Sequence, residues 1–352
     1  MPQENHTRNL KNLNLKIYVM THKKFAMPSV SILTPLHVGR ANSPDLGYPG
    51  DDSGENISDL NQYFGELTGM FWAWKNDVTS DYIGLCHYRR YFLNEDGTFM
   101  EEKDFSRIFE QYEAITSKTA VCDHSYYESF CQSHNAKDLD AVKNAIAALC
   151  PEYLPDYEKA MAGKTHYWGN LFVASAPVFK DYCQWLFTIL LEASEEIHPD
   201  NYDLYHRRVY GFLSEQLLMV YLRHNRIRTY EARVGITADK AESHELKLAM
   251  QELIKEGNIH EACELFRKYT QVRPDVMLEL SDLNGDLRYI RTLLFLMEYE
   301  ETHHVTPGLK QYSSDVKALL GHVRSLGQIL TSPPTAEEYR KISRQLQKLY
   351  RQ

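Results

Sequence analysis

The sequence predicts an α/β fold, a Rossmann-like mixed sheet flanked by helices, followed by an all-α C-terminal extension. Strand-like and helix-like segments alternate as far as about residue 240, which is typical of α/β domains. Beyond that point, apolar residues recur only at helical spacing. A third observation concerns function. The apolar run 82–86 ends in His87, Tyr88, Arg89 and Arg90, and open α/β sheets bind ligands outside the carboxyl ends of their strands.

The first elements can be read in order. Residues 15–23, LKIYVMTHK, predict a buried strand that ends in polar residues. Residues 31–58 are rich in Gly, Pro, Asp, Asn and Ser and predict a long loop, a kind of segment that is often functional in compact domains. Ser58 is a good N-cap, and the apolar spacing that follows predicts one amphipathic helix over 58–76.

Strands are predicted next at 82–86 and 112–118, and a helix at 138–150. A strand, a turn and a long helix follow over 169–197, then a helix at 211–225 and a strand at 227–235. Residues 244–301 show helical periodicity alone and resemble one tetratricopeptide-like pair, whereas a repeat array needs at least three. We therefore predict a tail at 1–14, an α/β domain at 15–238, a helical extension at 239–330 and a terminal helix at 331–352.

The terminal helix is predicted to be basic and amphipathic. Thr335 and Glu338 match a capping box. One face carries apolar residues, namely Tyr339, Ile342, Leu346 and Leu349, and the other carries cations, namely Arg340, Lys341, Arg344, Lys348 and Arg351. Such a helix can lie on an anionic membrane surface, or its apolar side can pack on the protein itself.

Composition excludes several classes of protein. The formal net charge of -9 argues against a nucleic-acid binder. The sequence has no secretory leader and no apolar run that could span a bilayer. The six cysteines form no C-x-x-C pair, which favours reduced thiols. We expect a cytoplasmic protein. A further expectation is that it associates peripherally with the inner face of the cytoplasmic membrane.

The common catalytic signatures are absent as well. The sequence contains no G-x-G-x-x-G after the first strand and no P-loop, which disfavours dinucleotide oxidoreductases and P-loop NTPases. It also lacks G-x-S-x-G and H-E-x-x-H, the signatures of common hydrolases and zinc proteases.

Four polar clusters remain, all in the predicted α/β domain. They comprise Thr21-His22-Lys23; Asp51 and Asp52 with Asn56, Ser58 and Asn61; His87 with Arg89 and Arg90; and Arg208 with Glu215. If the strands are parallel neighbours, the first three clusters meet at one edge of the sheet and suit an anionic, phosphate-bearing ligand. The alternative for each cluster is an ordinary solvated or ion-paired surface.

Several segments in this order resemble a family of bacterial capsular-polysaccharide and lipopolysaccharide glycosyltransferases long known as a domain of unknown function. The segments are IYVMTHKKF, GDDSGENISDLNQYFGELTGMFWAWKN, YIGLCHYRRYF, SHNAKDL, GNLFVASAPVFKDYCQWLF and RRVYGFLSEQLLMVYL. The resemblance covers about residues 15–235. It implies a GT-A-like fold and transfer of a hexose, galactose-type or galactofuranose, from a nucleotide-diphosphate sugar, with UDP expected, to a glycan or lipid-linked glycan acceptor.

The resemblance also assigns roles to residues. The expected donor-binding residues are Thr21, His22, Lys23, Asp51, Asp52, Asn56, Ser58, Asn61, His87, Arg89 and Arg90. Most GT-A enzymes hold a metal with a D-x-D motif, but here the strand ends in His87-Tyr88-Arg89-Arg90. Arg89 and Arg90, with Lys23, are therefore expected to neutralise the diphosphate. The alternative is a Mn²⁺ or Mg²⁺ ion on His87 and Asp52, so no cofactor is certain.

By analogy with the acid on the late helix of this fold, Glu215 is the first choice for the catalytic base, with His134 and Asp138 second. Trp168, Asn170 and Arg208 are expected to contact the acceptor. A second class of function stays open, a non-catalytic glycan- or partner-binding protein built on a transferase fold with a helical interaction module.

Overall fold

The computed structural model describes residues 13–167, 169–277, 281–306, 308–309, 313 and 315–350, without the side chains of residues 349 and 350. The chain divides into two compact units, one ending at Gly235 and the other spanning Ile236–Gln352. Among the described residues, no helix is both long and apolar enough to cross a bilayer.

The first unit is built on a mixed sheet. Its strands are β1 Leu15–Thr21, β2 Leu33–His37, β3 Tyr82–His87, β4 Arg90–Leu93, β5 Ala114–Ser117, β8 Phe172–Ser175 and β9 Thr229–Ile236. A separate two-stranded sheet pairs β6 Ala120–Val121 with β7 Thr165–His166. The predicted α/β fold with a mixed central sheet is confirmed.

Strand β1 lies between β2 and β3 and is parallel to both. Strand β8 runs antiparallel between β3 and β5, and β9 is parallel to β5. β3 reverses into β4, where His87 pairs with Arg90. The carboxyl ends of β1 and β3 are level, because Met20 is the register partner of His87.

Helices cover both faces of this sheet. They are α1 Asn61–Phe64, α2 Leu67–Asn76, α3 Glu102–Phe109, α4 Tyr126–Ser133, α5 Ala136–Leu149, α6 Leu154–Ala162, α7 Ala176–Ala193 and α8 Val209–His224. One face packs Tyr18, Ile83 and Phe172 against a large helical layer, and the other packs Ile17 and Ile115 in a smaller cluster with α3. The alternation of buried residues along β1 is what places one core on each side of the sheet.

Two expectations about local structure were wrong. Residues 58–76 do not form one helix, because a 3₁₀ turn over Ser58–Leu60 and helix α1 are followed by a break at Gly65, whose φ is 54°. Residues 31–58 are not loop throughout, because they contain strand β2. Pro35 argues against a strand in the sequence, because proline has no backbone N–H to donate. β2 is an edge strand, however, and an edge strand tolerates proline on its unpaired side.

The described residues of the second unit are largely helical, which confirms the predicted α-helical extension. Its helices are α9 Ala241–Glu256, α10 Ile259–Val272, α11 Asp286–Thr302, α12 Val316–Ser325 and α13 Ala336–Tyr350. The capping box of α13 is present, since Glu338 N donates to Thr335 Oγ1 at 3.3 Å and Thr335 N donates to Glu338 Oε2 at 2.8 Å. The apolar side chains of α13 at Tyr339, Ile342 and Leu346 are buried in the core of this unit, while Leu349 lies outside the described side chains.

Candidate active site

The polar residues at the tips of β1 and β3 lie side by side. Thr21 is fully buried, and its hydroxyl donates to Lys23 O at 2.5 Å, which fixes the turn after β1. Lys23 Nζ lies 4.9 Å from the centre of the Tyr88 ring, and the His22 ring meets the same tyrosine edge-on at 5.4 Å. The structure therefore brings the first and third predicted clusters together at one sheet edge.

The loop after β2 is organised by Asp51, which is fully buried. Its Oδ2 accepts from Gly39 N at 3.0 Å and from Thr68 Oγ1 at 2.6 Å. Its Oδ1 accepts from Arg40 N at 3.2 Å and from Ser58 Oγ at 2.5 Å. Four donors from the protein occupy this carboxylate, so Asp51 and Ser58 shape the loop and offer little to a ligand.

The neighbouring predicted residues also bond within the loop. Asn56 Oδ1 accepts from Ser58 N at 3.2 Å, and Asn61 Nδ2 donates to Gly65 O at 2.7 Å. Asp52 faces Arg40, with 3.8 Å between Oδ1 and Nη1. These contacts build the segment that leads into α2.

Two carboxyl groups are held by one turn between β7 and β8. Gly169 and Asn170 both have positive φ, at 81° and 47°. Gly169 N donates to Glu215 Oε1 at 2.8 Å, and Asn170 Nδ2 donates to Glu66 Oε1 at 2.8 Å. Asn170 is itself fixed, because its Oδ1 accepts from Ser214 Oγ at 3.0 Å. This turn brings the start of α2 and the first half of α8 to one place.

The two carboxyl groups differ in protonation. Burial and the negative charge of Glu66 raise the pKa of Glu215 to about 8, against the pull of Arg90 and the Gly169 N–H. Burial opposes ionisation of Glu66, but the fields of His87 and Arg208 and the Asn170 amide outweigh it and lower its pKa. At neutral pH, Glu66 is ionised and Glu215 is mostly protonated.

Positive charge surrounds this carboxyl pair. Arg90 Nη1 lies so close to Gly169 that a β-carbon there would meet it at 2.4 Å, and Arg90 Nε is buried without a hydrogen bond among the described residues. Arg208 stacks over Tyr205 and lowers the pKa of both carboxyl groups. A ligand oxyanion could accept a hydrogen bond from Arg90 Nε here.

His87 is the last residue of β3, and the charges of Glu66, Arg89 and Arg90 act on it. Burial and the charges of Arg90 and Arg89 lower its pKa to about 4, with Glu66 acting in the opposite direction. Its Nε2 is buried and makes no hydrogen bond within the described part of the chain. The other ring nitrogen bonds to the Gly169 backbone, so Nε2 of the neutral ring is left as an acceptor for a ligand.

His134 and Asp138 are placed elsewhere. Both line a cavity between the α4–α5 junction and residues 201–209. None of their hydrogen bonds within the described residues reaches Glu66 or Glu215. Trp168, predicted to contact an acceptor, lies outside the described residues, whereas Asn170 and Arg208 lie at the carboxyl pair.

The donor set at β3 does not resemble that of a divalent-metal site. Across the described ranges, no three His, Cys, Asp or Glu side chains cluster as ligands of a metal would. Asp52, the proposed partner of His87, is engaged with Arg40. The alternative metal site on these two residues therefore receives no geometric support.

Glu66 was missed in the sequence, although it begins the segment ELTGMFWAWKN that carries much of the resemblance. It was read as one acid within a continuous helix. Gly65 is the signal that could have revealed it, because a glycine directly before an acid can end one helix and place the acid at the start of the next.

Comparison with known proteins assigns the chain to a family. Residues 16–226 match the model of a family described as "Domain of unknown function (DUF4422)". The chain belongs to this family. Among curated proteins, none matches the DUF4422 chain significantly.

A solved structure is also similar, the apo form of the bifunctional glycosyltransferase WbbM. It shares 29% sequence identity with this chain, with a TM-score of 0.61 over 65% of the chain. The match spans 46% of the WbbM chain, less than half of its length. The family resemblance seen in the sequence is thus confirmed at the level of a glycosyltransferase-related DUF4422 protein.

Proposed function

We propose that this chain is a glycosyltransferase that moves a hexose, of galactose or galactofuranose type, from a UDP-sugar to a glycan or lipid-linked glycan. The acceptor would belong to capsule, exopolysaccharide or lipopolysaccharide synthesis. The observation that carries the proposal is the pairing of Glu66 and Glu215 on one turn beside Arg90, at the carboxyl end of β3. Similarity to WbbM supports the reaction class.

The chemistry assigns a task to each group. In a single displacement, an acceptor oxygen bonds to the anomeric carbon while the bond from that carbon to the diphosphate oxygen breaks. The departing diphosphate takes the electron pair, and the guanidinium of Arg90, with Arg89 and Lys23, stabilises its charge. The acceptor hydroxyl loses its proton to a carboxylate.

Glu215 suits the role of base better than Glu66. A general base works best when its pKa lies near the operating pH, and the pKa of Glu215 is about 8. The lowered pKa of Glu66 makes it a weak base, and its negative charge raises the basicity of Glu215. Asn170 positions Glu66 for that effect.

Turnover of a panel of UDP-, GDP- and dTDP-hexoses, followed by release of the nucleoside diphosphate, tests the proposal. Glu215→Gln is expected to reduce turnover about 100-fold or more, which is the usual contribution of a positioned base. Glu192→Gln, on the exposed face of α7, is the matched control and should keep full turnover. Thermal stabilisation by a donor without any turnover would favour the non-catalytic alternative.

A separate experiment tests whether turnover depends on a divalent metal ion. If arginine and lysine neutralise the diphosphate, turnover survives excess EDTA, while Arg90→Gln removes it. Loss of activity in EDTA that Mn²⁺ or Mg²⁺ restores would contradict this part of the proposal.

A further inference from the structure

A cavity of about 420 Å³ lies in the first unit, apart from the residues that hold the carboxyl pair. Its walls are the end of α4, the start of α5 and the segment 201–209. That volume falls in the range of small-molecule sites, roughly 300–1,000 Å³. Its lining residues take no part in the proposed transfer step.

Hydrogen bonds join the two walls of the cavity. His206 Nε2 lies 2.6 Å from Ser133 O on the other wall, and its Nδ1 is fixed on its own wall by Asp203 Oδ2 at 2.6 Å. Asn135 adds a second contact between the walls, because its Nδ2 donates to Tyr202 Oη at 3.0 Å. The cavity is thus preformed by hydrogen bonds across its two walls.

A buried carboxyl group faces this space. Asp138 is 2% exposed and lines the cavity. Its Oδ1 accepts from Tyr202 Oη at 2.6 Å, while Oδ2 accepts no hydrogen bond from the described residues. Oδ2 is thus open to the cavity, where it can accept a hydrogen bond from a ligand hydroxyl.

On the same wall as Asp138, the imidazole of His134 also lines the cavity and packs on aromatic rings. The ring of His134 lies 4.4 Å from the ring of Phe212 and 6.0 Å from that of Tyr205. Burial and the neighbouring His206 lower the pKa of His134 to about 4, so the ring is neutral and has one donor and one acceptor nitrogen. Neither nitrogen bonds to another described residue.

The lining contains no lysine or arginine, which disfavours phosphates and other anions. Amide, imidazole, phenol and carboxylate groups together match a neutral ligand rich in hydroxyls. Arg208 lies over the rings of Tyr205 and Phe212, at 5.8 and 5.6 Å, on which the His134 ring packs. Its charge also acts on Glu66 and Glu215.

We propose that this cavity binds a neutral hexopyranoside unit of the acceptor glycan, with Asp138 Oδ2 accepting from a sugar hydroxyl and His134 bonding to another. The assignment of the sugar to the acceptor rests on the proposed transferase function. The binding of a hexoside by the cavity does not.

Cys131 provides a direct readout, because it is exposed and lines the cavity. The full chain is treated with iodoacetamide in the presence of methyl hexopyranosides, and alkylation of each cysteine is followed by peptide mass spectrometry. At least one hexoside is expected to slow alkylation of Cys131 about threefold or more. Cys122 and Cys150, which are partly exposed, serve as internal references and should react at unchanged rates.

Two variants sharpen the result. Asp138→Asn replaces an acceptor oxygen by a donor and is expected to abolish protection of Cys131. Asp140→Asn, on the exposed face of the same helix, should leave protection intact. The melting temperature of each variant shows whether it is folded, and Asn201→Trp, which fills the cavity from an exposed position, replaces Asp138→Asn if that variant unfolds.

The outcomes separate the two proposals. Protection of Cys131 in a protein without donor turnover upholds the cavity as a glycan site and contradicts the transferase function. Donor turnover without protection by any hexoside overturns the cavity proposal alone. Equal protection by glycerol, or full protection in folded Asp138→Asn, overturns it as well.

Discussion

At the residue scale, the candidate site depends on the carboxyl groups of Glu66 and Glu215. One turn bonds to both of them, and their pKa values are shifted in opposite directions. Asn170 donates its amide hydrogen to Glu66, and Gly169 donates its backbone hydrogen to Glu215. Like charges held this close disfavour simultaneous ionisation, so the more deeply destabilised carboxyl keeps its proton. The arginines add the opposite charge that a departing diphosphate needs.

The pH dependence of turnover follows from this pair. The basic form of Glu215 increases as the pH rises through a pKa of about 8, so donor turnover should rise over the same range. Glu66→Gln removes a negative charge that raises this pKa, and the rise should then move to lower pH. The pH profile of kcat is the measurement.

Asp59→Asn, an exposed acid just before α1, is the control and should leave the profile in place. A profile that Glu66→Gln does not move would show that the two carboxyl groups are not coupled.

Asp51 is expected to matter for stability. In Asp51→Asn, whichever way the amide turns, its NH₂ faces two of the four donors that now bind the carboxylate. The free energy of unfolding should fall by about 2–4 kcal/mol. Urea denaturation measures it.

Asp52→Asn is the matched control for this change. Its side chain is about one-third exposed and its ion pair with Arg40 is long, at 3.8 Å, so the loss should stay within about 0.5 kcal/mol. An equal loss in both variants would contradict the role given to Asp51.

At the scale of elements, the break between α1 and α2 delivers Glu66 to the site. Gly65 has φ 54° and ψ -131°, a conformation that side chains with a β-carbon disfavour. A continuous helix would have kept Glu66 in register with α1. The glycine is thus needed for backbone conformation and not for space, because a β-carbon at this position would meet no atom within 4 Å.

Gly65→Ala should therefore lower the free energy of unfolding by about 1–3 kcal/mol and reduce donor turnover with it. Gly321→Ala is the control, since Gly321 lies within α12 and a β-carbon there would also meet nothing. That change should stabilise by roughly 0.5–1 kcal/mol. Full turnover in Gly65→Ala would show that the break does not position Glu66.

At the scale of the whole molecule, the second unit has its own core, and α13 belongs to it. Tyr339 stacks on Tyr299 at 4.5 Å and donates to the buried Glu300 at 2.7 Å. Ile342 and Leu346 are 2% and 1% exposed. The apolar face predicted to meet either lipid or protein therefore packs on protein, and Arg340, Lys341, Arg344 and Lys348 stay exposed.

Deletion of 333–352 should consequently destabilise the second unit. Removing three large buried side chains costs roughly 5 kcal/mol or more, at about 1.5–3 kcal/mol each. We expect premature loss of helical signal on heating, measured by circular dichroism. An unchanged transition would contradict the packing of α13.

Peripheral membrane association is proposed to act through charge alone. Neutralising the four exposed cations of α13 to Gln should weaken binding to vesicles that contain anionic lipid, by about 1 kcal/mol per cation near the surface. Sedimentation with such vesicles measures it. Neutral vesicles are the control, and unchanged sedimentation with anionic vesicles would contradict a membrane role for this face.

The sequence alone determined the α/β fold, the helical extension and the convergence of two polar strand ends. Those follow from apolar periodicity and from where polar residues interrupt it, which are local properties of the chain. The sequence also indicated the family, because the segments around Glu66 and His87 follow one another in the order typical of that family.

Only the tertiary structure decided which polar residues meet. Glu66 and Glu215 are far apart in the sequence, and the left-handed turn at Gly169 and Asn170 joins them. Asp51 is held inside its loop, and Asp138 lines a different cavity. The physical reason is that the protonation and accessibility of a carboxyl group depend on burial, neighbouring charge and the hydrogen bonds it receives, and all three arise from contacts between distant segments.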